Sequence, residues 1–490
     1  MQKKKLPALL LSVAMLGALA TACGSNNNNN GGSSDASPSA SSPPASSPAA
    51  SPSSSEPASP SASASDEKVT IKIYYPTADK PELRAIEDAK IKRFEAKYPN
   101  VTVVPDDWQY NVNEIGPKMA ANEAPTFFNT FATEAKMLVE KGWAADITDL
   151  WNNYEHKDDI NPVLQNQFNL DGKVYGVTQN GYVSEVVINK KMLADKGVAM
   201  PSYDWTWDDL YNIAKQVADP KKGIAGIAPM AKAGDGGWNW TNFLFEAGGE
   251  IQTVADGKVT AAFNSDAGVK ALDFYKKLRW DANAVPQDWA LDWGGATGAF
   301  AQGRAAMVIA GADGPLQQAL QAGISPQDLA VYPMPAVQAG GKHTGVLGGN
   351  YLVINPNATK AEQQAAFNYI VFDYYSDDAL ASLEKSIQDL KTKGQYYVPP
   401  HMDYYKPDSE YGKKVQDLLA KYDNAFKYDP SEAALLDGKP EAQYNTQDYY
   451  STMTNVIQEV FSKKNSDSKA VLDKAAADMQ SKFYDNIKVQ

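Results

Sequence analysis

Cysteine, histidine and positive charge are all scarce in this chain of 490 residues. It has 1 cysteine and 3 histidines, and 59 acidic side chains against 46 basic ones give a formal net charge of -13. A single cysteine excludes an internal disulfide bond. His156, His343 and His401 lie far apart in the sequence, which argues against a histidine-based metal site or a Ser-His-Asp triad. The acidic balance argues against a phosphate-backbone partner. We therefore expect no metal, no cofactor and no nucleic acid.

Long hydrophobic runs are missing after residue 23, and the run that precedes it is short. Lys3, Lys4 and Lys5 come first, followed by LPALLLSVAMLGALA. A membrane helix needs about 20 apolar residues, so this run is too short to span a bilayer. Its charge, length and small-residue end predict a secretory signal over residues 1–22.

Cys23 stands at the expected cleavage point of this signal. A cysteine there resembles a bacterial lipoprotein signal, in which the thiol takes a diacylglycerol before cleavage. The match is imperfect, because Ala20 occupies the position where leucine is favoured and Leu19 lies one place further away. The alternative is an ordinary signal followed by a free cysteine. We expect Cys23 to be lipidated and the protein to be anchored on the outer face of the cell membrane.

The segment that follows, through residue 66, lacks every aromatic residue and every aliphatic residue larger than alanine. Such a composition cannot bury enough apolar surface to offset the entropy of ordering. As a coil, residues 24–66 would have an end-to-end distance of about 35 Å. Residues 23–66 therefore predict a lipidated cysteine and a disordered Ser/Pro/Ala tether that holds a folded body away from the membrane.

The remaining residues, 67–490, have a globular composition and exceed the length of one typical domain. Strand-like segments at 69–75, 101–104 and 126–131 alternate with helix-like ones, which predicts a parallel sheet with right-handed crossovers. In such sheets, ligands lie beyond the carboxyl ends of the strands. This rule draws attention to the segment from Tyr75 to Asp79 and to Thr130–Glu134.

Turn and capping signals mark further elements along the chain. Asp171-Gly172 predicts a tight hairpin between two short strands. Side-chain caps at helix starts and glycines at helix ends punctuate the rest. The caps are Thr206 with Asp209, Ser265, and Thr359 with Glu362; the terminating glycines are Gly197 and Gly303.

The order of seven segments resembles that in extracellular solute-binding proteins of the maltose-binding type, which deliver sugars to ATP-driven importers. The resemblance runs from Val69 to about Ile487. The segments are FEAKYPNVTV, PTFFNTF with KGWAADITDLW, DGKVYGVTQNGYVSEVVINKKML, the TW of TWDDL, FLFEAGGEI, FAQGRAAMVIAG and GGNYLVINP.

This resemblance implies an α/β, two-lobed periplasmic-binding-protein fold of type II-like topology. Crossing hinge segments join the lobes, the C-terminal segment is helical, and a ligand is held between the lobes without chemistry. Residues 67–180 plus 349–407 are expected to form the first lobe, and residues 181–348 plus 408–490 the second. The protein is expected to act as a monomer with a carbohydrate ligand and the permease subunits of an ABC transporter.

The resemblance also implies a set of ligand-binding positions. The first lobe contributes Tyr75, Asp79, Trp108, Phe131, Thr133 and Glu134. Asn180, Tyr182, Gly349 and Asn350 lie at the crossings. The second lobe contributes Trp238, Asn239, Gly311, Asp313 and Tyr449, with Tyr450 as the alternative to Tyr449. Glycines and short polar residues around Trp238 predict a loop there.

Two positions depart from the family pattern. Thr133-Glu134 replaces an expected acid pair, and Asp313 replaces an expected tryptophan, which argues against a maltodextrin ligand. The residue types still suit a sugar, because aromatic rings cover its C–H faces and carboxylates and amides bind its hydroxyl groups.

Two other function classes remain open. One is an exported glycoside-acting enzyme with paired carboxylates, and the other is a sugar sensor or lectin that serves no transporter. Because the sequence shows no nucleophile elbow, phosphate loop or metal signature, we expect a binding protein and not an enzyme.

Overall fold

A computed structural model describes residues 67–489 of the chain. The predicted signal, the lipidation site at Cys23 and the tether lie outside the described residues. Within the described range, each helix is too short or too polar to cross a lipid bilayer.

Thirteen strands occur in the described part of the chain. In order they are β1 (Val69–Tyr74), β2 (Val101–Asp106), β3 (Phe127–Phe131), β4 (Asn169–Leu170), β5 (Lys173–Val174), β6 (Val177–Val183), β7 (Glu185–Asn189), β8 (Gln252–Ala255), β9 (Lys258–Ala261), β10 (Met307–Ala310), β11 (Leu329–Pro333), β12 (His343–Ile354) and β13 (Leu436–Pro440).

Seventeen α-helices accompany them within residues 67–489. They are α1 (Pro81–Lys97), α2 (Ile115–Ala120), α3 (Ala135–Glu140), α4 (Thr148–Asn152), α5 (Pro162–Gln165), α6 (Lys190–Ala194), α7 (Trp207–Val217), α8 (Asp235–Glu246), α9 (Asp266–Lys276), α10 (Trp293–Ala301), α11 (Asp313–Gln321), α12 (Lys360–Ile370), α13 (Asp377–Thr392), α14 (Glu410–Ala420), α15 (Pro430–Ala433), α16 (Thr446–Ser462) and α17 (Ser468–Lys482).

The first sheet has six strands and begins with the parallel arrangement that the sequence predicts. β1 pairs in parallel with β2 and with β3, so β1 lies between them. Val69, Ile71 and Ile73 on β1 are buried while Thr70 and Lys72 are exposed, as expected for a strand with one covered face.

β12 is the longest strand and joins the rest of the first sheet. It pairs antiparallel with β3 and β6 and parallel with β13. Its register with β6 shifts between Asn350 and Tyr351, which marks a bulge. β6 continues almost directly into β7, so the chain passes here from the first sheet to the second.

The second sheet has three strands, with β7 between β10 and β11 in antiparallel pairing. All five residues of β7 are buried. Because helices cover both faces of this sheet, β7 forms an uninterrupted apolar run from Val186 to Ile188.

Separate hydrophobic cores pack around the two sheets. The first core includes Ile71, Ile73, Phe94, Phe127 and Ile354. The second core includes Val186, Ile188, Trp240, Ile309 and Ile457. Full burial of such a side chain stabilises the fold by about 1.5–3 kcal/mol. We call the elements packed around the first sheet the first lobe and those around the second sheet the second lobe.

Local sequence signals are confirmed at several positions. Asp171 and Gly172 both have positive φ angles, 52° and 76°, and join β4 to β5 in a tight hairpin. Thr206 and Asp209 form the predicted capping box of α7. The same arrangement of Thr359 and Glu362 begins α12.

The connecting segment, residues 393–435 between α13 and β13, contacts both lobes. Val398 packs in a core beside β7, although the range 349–407 was assigned to the first lobe. Tyr411, from the range assigned to the second lobe, packs edge-on against Tyr375, with ring centroids 5.0 Å apart. Val398 therefore packs against the second lobe and Tyr411 against the first, each the reverse of the expected assignment, because the connecting segment passes from one lobe to the other. The other lobe boundaries stay a prediction.

Candidate functional site

Two aromatic rings meet where β6 leaves the first sheet. Tyr182 lies near the end of β6, and Trp238 lies in the first turn of α8. Their ring centroids are 5.8 Å apart and the ring planes are inclined by 81°. Among the described residues, the buried indole Nε1 of Trp238 makes no hydrogen bond of ordinary geometry, and Tyr182 is a side chain with which it interacts.

A carboxylate lies beside the tyrosine hydroxyl. A methyl group added at Gly348 would stand 2.4 Å from Oη of Tyr182 and 3.1 Å from Oε2 of Glu441. Oη of Tyr450 donates a hydrogen bond of 2.5 Å to Oε1 of Glu441. Burial raises the pKa of Glu441 to about 7; the Tyr450 hydrogen bond opposes this rise, and the charge of Glu134 adds to it. Glu441 is therefore poised between its neutral and charged forms near neutral pH.

The first lobe presents a second acidic group. Oη of Tyr110 donates to Oε2 of Glu134 at 2.6 Å, and Oγ1 of Thr133 donates to Oε1 at 3.1 Å. Burial, and then the nearby charge of Asp448, raise the pKa of Glu134. Phe131 is 43% exposed and stands edge-on to Tyr110, with ring centroids 6.3 Å apart. An exposed ring and a buried carboxyl group thus lie close together at the end of β3.

Hydrogen bonds cross between the lobes beside these groups. Nε2 of Gln447 on α16 donates to Oγ1 of Thr133 at 3.0 Å. Oη of Tyr444 donates to Oε1 of Glu140 at 3.2 Å. An open groove of ≈ 1230 Å³ is lined by Thr133, Glu134, Glu140, Tyr444, Gln447 and Asp448, among others. We call the following residues the interlobe site: Thr133, Glu134, Tyr182, Trp238, Glu441, Gln447 and Tyr450.

Gly311 and Asp313 lie where the sequence predicts, next to Tyr182. A methyl group at Gly311 would stand 2.9 Å from Cβ of Tyr182 and 3.5 Å from Oδ1 of Asp313. Burial raises the pKa of Asp313, although backbone N–H groups at the start of α11 oppose the shift. Gly314 follows Asp313 on α11, and Trp293 of α10 packs close to Gly314. An indole therefore stands near Asp313, although position 313 itself is not a tryptophan.

The predicted crossing residues lie on paired strands. Asn180 and Asn350 are opposite each other on β6 and β12, and Nδ2 of Asn350 donates to Oδ1 of Asn180 at 2.8 Å. Gly349 pairs with Gly181 one position away. The structure thus places these three predicted residues together with Tyr182 on one pair of strands.

Three first-lobe residues bond within their own lobe. Oη of Tyr75 donates to Oδ1 of Asp88 at 2.8 Å. Nε1 of Trp108 donates to Oε2 of Glu114 at 2.8 Å, and the indole stands edge-on to Tyr110. Asp79 is exposed, and its hydrogen bond with Thr77 lowers its pKa. Trp108 therefore extends the aromatic group next to Glu134, whereas the Tyr75 hydroxyl is directed to α1.

The predicted loop around Trp238 is wrong. Trp238 is the fourth residue of α8 (Asp235–Glu246), and Gly236 and Gly237 are helical too. The glycines serve close packing instead of a turn, because a methyl group at Gly237 would stand 2.3 Å from the carbonyl oxygen of Tyr450. They let α8 approach α16, which brings Trp238 and Tyr450 to the same end of the second lobe.

Asn239 and Tyr449 are also placed differently from the prediction. Asn239 is fully buried; its side chain bonds to the backbone of Met230 and Ile309 and to the hydroxyl of Tyr275. Tyr449 is fully buried too, with its Oη 3.0 Å from Oγ1 of Thr241. Both are core residues because they lie on the packed faces of α8 and α16. Tyr450, the alternative, reaches Glu441.

Sequence reasoning missed Tyr110, Glu441 and Gln447. Tyr110 follows β2, so the strand-end rule could have found it. Glu441 follows β13, whose sequence LDGKP contains glycine and proline and lacks any strand signal. Gln447 lies two residues before Tyr449, close to a predicted position. It contacts Thr133, however, which is more than 300 residues earlier in the sequence.

The fold and these groups can now be compared with known proteins. The sequence model of the bacterial extracellular solute-binding protein family matches residues 77–373, more than half of the chain. The chain belongs to this family. The family assignment agrees with the resemblance carried by the seven sequence segments, and it places the protein among extracellular binding proteins.

Individual members of the family share the architecture. An uncharacterized ABC transporter extracellular-binding protein from Pyrococcus horikoshii is 26% identical over 236 residues, which are 46% of this chain and 51% of the relative. The chain thus spans about half the length of this curated relative.

Solved structures of family members match at greater coverage. A solute-binding protein from Thermotoga lettingae bound with α-D-tagatose gives a TM-score of 0.62 at 22% identity, covering 84% of this chain and 99% of that chain. A Listeria monocytogenes protein in complex with cycloalternan gives 0.63 at 18% identity, covering 85% and 99%. A maltose-bound T. maritima protein gives 0.63 at 16% identity, covering 84% and 99%. The two-lobed α/β fold is therefore confirmed.

Proposed function

We propose that this protein is the lipid-anchored, extracellular substrate-binding subunit of an ABC importer. It captures a sugar or oligosaccharide between its two lobes and delivers it to membrane permeases. The observation that carries this proposal is the Tyr182–Trp238 pair, whose tyrosine hydroxyl lies beside the buried carboxyl group of Glu441.

The chemistry of the interlobe site supports a carbohydrate. A pyranose offers apolar C–H faces to aromatic rings and a rim of hydroxyl groups to polar side chains. Trp238 and Tyr182 supply rings, Glu441 and Glu134 supply strong acceptors, and Gln447 supplies an amide. Cycloalternan, maltose and α-D-tagatose are bound by proteins of the same fold, which supports the same ligand class here.

The two lobes contribute to the site from opposite sides. Thr133 and Glu134 belong to the first lobe, whereas Trp238 and Gln447 belong to the second. A ligand that contacts both sides binds the closed arrangement better than an open one and so stabilises closure. This coupling is what a transporter needs in order to recognise a loaded binding protein.

A screen of ligands tests the proposal. Thermal unfolding of the purified chain is measured with mono-, di- and oligosaccharides and polyols, with amino acids and peptides as controls. A ligand at 100 times its dissociation constant adds about 2.7 kcal/mol to the free energy of unfolding. We expect at least one carbohydrate to raise the melting temperature. A rise with peptides or amino acids alone would contradict the proposal.

Two carboxyl groups with raised pKa values at one site favour a second candidate function. Glu134 and Glu441 both have raised pKa values and act on each other electrostatically, as in glycoside-acting enzymes with paired carboxyl groups. Chromatography of the best ligand after incubation separates the two functions. Recovery of intact ligand supports a binding protein, and product formed at enzyme-like rates supports the enzyme.

A non-transport sensor or lectin is excluded if co-expressed permeases take up the ligand only when this protein is present.

A further inference from the structure

A second polar cluster lies outside the interlobe site. Glu185 begins β7, His401 lies in the connecting segment, and Glu432 lies in α15. One donor atom from each of the three side chains lies within 4.8 Å of the donor atoms of the other two. Glu185 lies more than 200 residues before His401 and Glu432 in the sequence, so spacing along the sequence does not predict the cluster.

The cluster is removed from water. Glu185 is 2% exposed and Glu432 is 1% exposed. Nδ1 of His401 is 2.7 Å from Oε1 of Glu185, whereas its Nε2 is 3.6 Å from Oε2 of Glu432, too far for a hydrogen bond. Among the described residues, neither carboxyl oxygen of Glu432 has a hydrogen-bond partner of ordinary geometry, although Glu185 is close enough to interact with it. Buried carboxylates are normally paired or bound to a metal ion, so Glu432 either shares a proton with Glu185 or has an ion as its partner.

The surroundings do not supply a compensating positive charge. Among residues 67–489, the other charged groups that act on the three side chains are Asp313 and Asp429, both acidic. A neutral imidazole and two deprotonated carboxyl groups are the forms of these side chains that would bind a metal ion.

We propose that Glu185, His401 and Glu432 bind a single divalent transition-metal ion of the zinc type. An imidazole with two carboxylates favours zinc and its neighbours over calcium or magnesium, which prefer oxygen ligands alone. Zinc lies about 2.0–2.2 Å from nitrogen and oxygen ligands, so the donors of a tetrahedral ion are about 3.3–3.6 Å apart. Nε2 of His401 and Oε2 of Glu432 already have this separation, at 3.6 Å. The donor atoms of the cluster as a whole lie within 4.8 Å of one another, so the side chains must move inward to complete the site.

A small cavity borders two members of the cluster, Glu185 and His401. It is also lined by Tyr182, Asp313 and Met402, among others. A water molecule in this cavity would complete a four-coordinate ion. The ring of Tyr428 stacks on His401 at a centroid distance of 4.0 Å and fixes the imidazole plane. The ion would therefore fasten the connecting segment to β7, directly behind Tyr182.

Zinc titration of the full chain tests the proposal. The chain is first treated with a chelator, dialysed, and then titrated with zinc chloride by calorimetry, with magnesium chloride as a comparison. We expect one equivalent of zinc to bind and the melting temperature to rise with zinc but not with magnesium. Absence of zinc binding would overturn the proposal and leave Glu185 and Glu432 as a carboxyl pair that shares a proton.

Matched variants locate the ion. His401→Gln and Glu432→Gln are each expected to weaken zinc binding by at least about tenfold. His156→Gln is the control, because His156 also lies beside two carboxylates, 3.4 Å from Glu155 and 3.4 Å from Asp159, but is partly exposed. It should bind zinc like the unaltered chain. Circular dichroism verifies folding of each variant. Zinc binding that persists in folded His401→Gln and Glu432→Gln, or that is lost in His156→Gln alone, would overturn the proposal.

Discussion

Tyr182 stands edge-on to Trp238, and the two rings come from different parts of the fold. Tyr182 is on a strand of the first sheet, whereas Trp238 is on a helix of the second lobe, and their centroids are 5.8 Å apart. An edge-to-face pair of this kind contributes about 0.5–1.5 kcal/mol beyond the area it buries. The pair therefore stabilises the interlobe site at the place where the chain crosses between the lobes.

Replacing Trp238 with alanine should weaken carbohydrate binding. The indole is only partly buried, so part of its surface is available to a ligand. If Trp238 acts as a hot spot, the loss is about 2 kcal/mol, or roughly 30-fold in the dissociation constant. Calorimetric titration with the sugar found in the screen measures this. Normal binding by Trp238→Ala would place the ligand elsewhere.

Trp207→Ala is the matched control for this substitution. Trp207 is 5% exposed and packs against Phe243 and Phe274, with ring centroids 5.4 Å and 4.8 Å away. Its truncation should lower the free energy of unfolding by about 3–5 kcal/mol. Sugar affinity of the folded fraction should stay unchanged. Equal loss of stability in Trp238→Ala and Trp207→Ala would mean that Trp238 serves packing.

Gly348→Ala should disturb the site through Tyr182. The added methyl group would stand 2.4 Å from Oη of Tyr182, so the ring must move away from Glu441. We expect sugar affinity to fall by about tenfold or more, since ~1.4 kcal/mol is a factor of ten. Gly298→Ala in α10 is the control, because its methyl group would meet nothing closer than 3.9 Å. That change should leave affinity intact and stabilise the helix by up to about 1 kcal/mol.

Glu441 should make stability depend on pH. Its pKa in the folded chain is about 7, above the usual 4.5, so the folded state binds more protons between these values. The free energy of unfolding therefore falls as the pH rises from about 4.5 to about 7. Glu441→Gln should remove this contribution and gain about 1 kcal/mol or more over the unaltered chain at pH 8.

Chemical denaturation of both chains at several pH values measures the difference. Glu459→Gln is the control, because Glu459 on α16 is a partly exposed ion-pair partner of Lys463, the residue that follows this helix. Its pH profile should follow that of the unaltered chain. A Glu441→Gln profile with the same slope as the unaltered chain would show that Glu441 keeps an ordinary pKa.

Gln447→Ala should weaken the closed arrangement of the lobes. Its amide donates across the groove to Thr133, and a single hydrogen bond contributes about 1 kcal/mol, or about fivefold in affinity. Gln458→Ala on the same helix removes a bond of 2.8 Å to the Ala231 carbonyl oxygen, which lies within the second lobe. It should lower the free energy of unfolding and leave sugar affinity unchanged. Equal affinities for the two variants would contradict a role of Gln447 in closure.

Cys23→Ser should release the protein from the membrane. Cys23 is the only cysteine and follows a short signal with small residues at its end. A diacylglyceryl group carries two chains, and two chains suffice for stable anchoring where one is marginal. Cell fractionation should find the variant in the medium or other soluble fraction. A variant that stays with the membrane would contradict the lipid anchor.

Much of the fold follows from local signals in the sequence. The alternation in VTIKIY, the capping pairs at Thr206 and Thr359, and the Asp171-Gly172 turn act through neighbouring residues, so their outcome is readable without the rest of the chain. β13 was missed for the opposite reason. Its five residues have no strand propensity and become a strand because β12 offers an edge to pair with.

The same difference between local signals and long-range contacts applies to the residues of the candidate site. Glu134 lies in a segment that the strand-end rule singles out, whereas Tyr182 is predicted from the family resemblance alone. Asn239 and Tyr449 were misplaced because one residue of helical rotation decides whether a side chain enters the core or faces the groove. The cluster of Glu185, His401 and Glu432 depends on contacts between distant segments, so no sequence motif or spacing predicts it.

The position of β12 also governs how the chain can fold. Phe127 of β3 pairs with Ile354 of β12, more than 200 residues later, and the whole second sheet is made in between. Pairings between such distant segments form slowly, because a long loop must close before they add stability. The second sheet, by contrast, is contiguous from β7 to β11 and needs no strand from outside that stretch. The first sheet therefore stays incomplete until the chain has been made through β13, long after the strands of the second sheet are available to pair.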